Sequence, residues 1–110
     1  AHTDIKDAIA AHGWNYVDGA PEPKTPMQWA LYCCDELTGL IVAVALVKQE
    51  KKLSAVSVES VLKKFNEKSF GAGANRDQIK QCEERLSIPL PEFVEISLTS
   101  MQSIAPELGL

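Results

Sequence analysis

The chain has 110 residues, 45% hydrophobic and 24% charged, with 15 acidic and 11 basic side chains and a net charge of −4. That suits one domain with a real core, and the acidic balance argues against general nucleic-acid binding, whose footprint is a basic excess or stripe. No stretch reaches the roughly 18 apolar residues of a membrane span, and the N-terminal AHTDIKDAIAAHG shows no secretory signal, so the expected location is cytoplasmic, away from membranes.

The punctuation is helical throughout. Thr3 is placed to N-cap a short helix to about His12, with Gly13 as its C′ residue. The Gly- and Pro-rich WNYVDGAPEPK reads as a loop. In TPMQ, Thr25 suits the N-cap, Pro26 suits N1, and Gln28 at N3 completes a capping box. The helix opening there is expected to run toward Val47. A strand over Leu40 to Val47 is the rival, because that half is rich in Val and Ile; only Gly39 interrupts the path from the well-capped start, which favours helix. A helix around Ser57 to Lys68 carries Val58, Val61, Leu62 and Phe65 at helical spacing. FGAGAN is a loop, after which Asn75 and Gln78 form a second capping box for a helix to about Leu86. Pro91 opens a final helix through Ile104. The expectation is an all-α domain of about five helices spanning residues 1–110.

Cys33, Cys34 and Cys82 match neither a disulfide framework nor a zinc spacing. They read as reduced, buried thiols.

Asp35 and Glu36 stand directly before the apolar run Leu40 to Val47. The neighbours of Asp35 three, four and seven positions away are Gln28, Leu31, Tyr32, Thr38, Gly39 and Val42, mostly apolar or small, so its side chain is expected to face inward. A buried carboxylate needs a cation, a hydrogen-bonding cluster or a metal ion. His12 shares a face with Ile5, Ala8 and Ile9 and reads either as a satisfied core histidine or as a ligand. An inward imidazole and carboxylate on successive helices together suit a divalent transition metal.

The stretches AIAAHGW, ALYCCDELTGLIVAVALV, VESVLKKFNEKSFGAGANRDQI and IAPELGL together resemble the C-terminal part of a bacterial and archaeal group of predicted HD-superfamily hydrolases. The likeness spans nearly the whole chain, with DELTGLIVAVALV and KKFNEKSFGAG its most specific parts. It implies an HD-domain-like helical bundle, truncated at the N-terminus, related to metal-dependent phosphohydrolases whose divalent metal is held by an upstream His, a His-Asp dyad and a later Asp. Asp35 matches the later, metal-ligating Asp. His12 matches a histidine at the edge of the active site, a candidate catalytic group. Lys63, Lys64, Lys68 and Arg76 fall in the family's basic segment, as candidates to steady a substrate phosphate; otherwise they form a solvated face.

The departure from the family pattern is large. The chain has two histidines, His2 and His12, and no His-Asp dyad; His2 matches neither missing ligand. A metal would be held weakly or not at all. The expectation is therefore a catalytically incomplete module whose exposed apolar faces are covered by a second copy, as a homodimer, or by a protein partner. The alternative is the C-terminal part of an HD-type phosphohydrolase whose N-terminal helices supply the other ligands.

Overall fold

The computed structural model describes residues 2–110, the side chain of His2 lying outside the description. The elements are α1 (His2–His12), α2 (Pro26–Val47), a 3₁₀ turn (Leu53–Ala55), α3 (Val58–Phe65), α4 (Arg76–Leu86), α5 (Leu90–Ser103) and the single turn α6 (Ala105–Leu108). No strand occurs among the described residues, so the domain is all-α, with α6 additional to the expected five helices.

α2 forms the axis. Thr25 caps it, its hydroxyl accepting from the amide of Gln28 at 3.2 Å, and Pro26 sits in its first turn, where a missing N–H costs nothing. Continuation through Val47 as helix follows from what is buried: Cys33, Leu37, Leu40, Ile41, Val44 and Ala45 recur at helical spacing. Around this stripe pack α1, α3, α4 and α5, and the core closes with Leu53, Val61, Ile79 and Val94, all fully buried. Burial of each such aliphatic side chain contributes about 1.5–3 kcal/mol. By length and composition alone α2 is also sufficient to cross a bilayer; here it is the centre of a bundle.

Local expectations fail in three instructive places. Thr3 lies inside α1, which already includes His2, and the left-handed residue beyond that helix is Asn15 (φ 70°), not Gly13. Gln28 returns its side chain to the amide of Lys24, not to that of Thr25, so the capping box is only half made. The helix expected over Ser57 to Lys68 stops at Phe65; its true capping box is Ser57 with Ser60, each side chain bonded to the other's amide. The final helix ends where expected, with Ile104 as its C-cap, and Pro106, which has no amide hydrogen to continue the ladder, lies in the separate turn α6.

Candidate functional site

The sequence singled out Asp35 on α2 as a metal ligand and His12 at the end of α1 as a candidate catalytic group. Asp35 is exposed, against the expectation that it faces the core. The physical reason is that α2 is apolar nearly all round, so a mostly apolar set of neighbours does not mark an inward face. Asp35 shares the outer stripe with Gly39 and the half-exposed Leu46. Its carboxylate makes no hydrogen bond among the described residues; only its backbone carbonyl is used, by Thr38 at 3.0 Å. His12 is partly buried at the end of α1, and its Nδ1 donates to the carbonyl of Ile9, one turn back. A carbonyl can only accept, so Nδ1 bears a proton in this contact.

Glu36 is half-buried and belongs to a network that the sequence reading missed. The loop after α1 brings Tyr16 to the junction of α2 and α4. Its hydroxyl lies 2.6 Å from Gln78 Oε1 and 3.0 Å from Glu36 Oε1, and it accepts from Asn75 Nδ2 at 3.3 Å. Gln78 is 3% exposed, and its Nε2 donates to the Tyr32 carbonyl at 2.6 Å, which fixes its Oε1 toward Tyr16. Burial raises the Tyr16 phenol pKa above its ordinary value, with Glu36 adding to the rise and Asn75 opposing it. Below the network, Trp14, Trp29 and Tyr32 pack mutually with ring centroids 5.7–6.0 Å apart, and the Arg85 guanidinium lies 4.6 Å over Trp29. One signal for Gln78 was available: it sits four residues before Cys82, on the same inward stripe of α4. Nothing local announces Tyr16.

No family model, curated protein or solved structure matches this chain.

The four basic candidates separate. Arg76 is wholly committed to the fold: Nε donates to the carbonyl of Phe65 (3.1 Å), Nη1 to those of Gly71 (2.7 Å) and Ala74 (3.0 Å), and Nη2 to those of Lys64 (3.1 Å), Glu67 (3.1 Å) and Phe70 (2.5 Å). Six carbonyls share the five N–H groups of a guanidinium, and none is left over for a phosphate. This corrects the expectation that Arg76 steadies a substrate. Lys64 is held by Glu67 at 3.4 Å and lies 4.8 Å over the Phe70 ring. Lys63 and Lys68 are exposed.

Among the described residues no three His, Cys, Asp or Glu side chains converge as a metal site. The donor set of the described residues therefore does not fit the metal centre that the family resemblance implies. The cysteines are not ligands in waiting either. Burial pushes the Cys33 thiol up to about 12 and the Cys82 thiol up to about 11, from 9.0. Both are therefore protonated and inert in the fold. A thiol reagent near neutral pH is expected to leave Cys33 and Cys82 untouched until denaturant is added; rapid labelling of either in the folded protein would contradict their burial. The unfolded thiols ionise from about 9.0 while the folded ones hold their protons, so their stabilisation is complete below that pH and is lost as pH rises toward about 12.

Proposed function

We propose that this chain is an incomplete HD-like helical module that works by association, pairing with a second copy through the outer flank of α1. One observation carries this reading. Ile5 and Ile9 stand 53% and 54% exposed on a helix that packs chiefly on α2. Four residues apart, and followed by His12 three further on, they form one continuous row along the helix. Ala8 and Ala11 fill the face toward α2, and these small side chains leave the isoleucines at the rim. Two α1 rows crossing at a two-fold axis bury four isoleucines in a self-complementary contact. Sedimentation equilibrium is expected to give a dimer for the natural chain. A monomer with unchanged helical circular dichroism is expected for Ile5→Asp/Ile9→Asp. A natural chain that stays monomeric at high micromolar concentration would sink the proposal.

A second reading is favoured by His12. An imidazole whose Nδ1–H is fixed by a carbonyl presents Nε2 in the manner of a metal ligand, and Asp35 offers a carboxylate that makes no hydrogen bond among the described residues, on the helix that α1 packs against. In this reading a further segment would supply the ligands that the described residues lack, and a metal held by that complete set would supply the Lewis-acid chemistry of an HD-type phosphohydrolase. In a chain extended by such a segment, Asp35→Ala is expected to abolish metal-dependent hydrolysis of p-nitrophenyl phosphate. Unchanged activity removes Asp35 from the site.

A further inference from the structure

We propose that the cleft between the end of α2 and α3 binds a phosphate monoester that carries an apolar group. The cleft holds about 320 Å³ and is lined by Val44, Val47, Lys48, Ser60, Lys63 and Lys64. Its cations arrive from two elements: Lys48 is the residue that ends α2, and Lys63 and Lys64 occupy the last turn of α3. No acidic side chain lines it.

The cations of the cleft divide by occupation. Lys64 is pinned by Glu67 and Phe70. Lys48 and Lys63 have no ion-pair partner among the described residues and are the groups that meet the ligand. Ser60 contributes only an acceptor, since its hydroxyl proton goes to the Ser57 carbonyl at 2.8 Å; the charge recognition therefore rests on ammonium groups. Two compact ammonium charges suit a tetrahedral dianion, which needs no planar fork. Val44, which is buried, and Val47, 60% exposed, supply an apolar wall beside them.

The charge distribution supports the placement. Residues 48–68 hold six lysines against Glu50, Glu59 and Glu67, a local balance of +3. The other residues hold 5 basic and 12 acidic side chains, −7, which together give the −4 of the whole chain. The cleft thus lies in the one basic stretch of an acidic molecule, where an anion is drawn in and not turned away. This site differs from the one the sequence suggested: Lys48 joins Lys63 and Lys64, Arg76 is excluded by its six carbonyls, and Lys68 is not part of the lining. It depends neither on self-association nor on hydrolysis.

Titration of the full chain with phenyl phosphate, followed by amide chemical shifts, tests it. Saturable shifts are expected at Val47, Ser60 and Lys63, weakened by salt and absent with benzyl alcohol. Affinity is expected to fall about tenfold or more in Lys48→Gln/Lys63→Gln and to hold in Lys80→Gln, a lysine exposed on α4. A parallel arm uses phosphatidic acid vesicles. Sedimentation with vesicles alone, lost in the same double variant, assigns the phosphate to a lipid headgroup, whereas binding of the soluble ester assigns it to a small molecule. Binding of neither probe, or equal binding by the double variant, overturns the proposal.

Discussion

Arg76→Ala is expected to lower the unfolding free energy by about 2 kcal/mol, read from urea denaturation, which is large for a charged residue outside the core. The guanidinium bonds the carbonyls of Lys64 and Phe65, which close the last turn of α3, and those of Glu67, Phe70, Gly71 and Ala74 in the connection to α4. Helix C-termini leave carbonyls without partners; one side chain from the first turn of α4 answers them across the connection. Gly71 makes the turn possible. Its φ of +54° lies in the left-handed region, and an added Cβ would come within 3.4 Å of Leu40 Cδ1. An ammonium has three donors and no planar fork, so Arg76→Lys should recover less than half of the loss. The exposed loop at residues 66–75 should also become the preferred site of proteolytic nicking in Arg76→Ala. A change within about 0.5 kcal/mol, the range of ordinary surface substitutions, would mean that these bonds merely replace equivalent ones to water.

Arg76 also marks where sequence reading stops. The signals that succeeded are local: Thr25 before Pro26 for the start of α2, Asn75 for the start of α4, and helical spacing for Val61 and Phe65. Each depends on residues within a turn or two of one another. The Arg76 hub forms only when α3 ends and the chain doubles back over ten residues. The Tyr16 to Gln78 bond joins positions 62 apart in sequence. Lys48 meets Lys63 only through the packing of α2 on α3. In each case the residues had an adequate local reading, as a solvated lysine, a loop tyrosine or a helix-start glutamine, and nothing within a few positions contradicted it. Such arrangements are assembled by tertiary contacts, so they leave no periodic trace.

The misread direction of Asp35 has the opposite origin, an excess of signal, and one helix supplies its test. α2 holds 22 residues with only Asp35 and Glu36 charged, so hydrophobicity cannot say which of its faces is inside. Packing decides it: Leu40 is fully buried, whereas Leu46, on the same helix, is 51% exposed. Leu40→Ala removes side-chain atoms packed at the centre of the core, beneath the Gly71 turn, and is expected to cost about 3 kcal/mol from lost transfer energy and the cavity left behind. Leu46→Ala and Asp35→Ala are each expected to stay within about 0.5 kcal/mol, since both side chains meet solvent and alanine favours helix. Urea denaturation of the three variants reads all of this in one series. A large loss for Asp35→Ala would restore the inward carboxylate and demand a buried partner. Near-neutrality would leave the carboxylate at the surface with no stabilising task, so that any activity lost with it belongs to chemistry and not to folding.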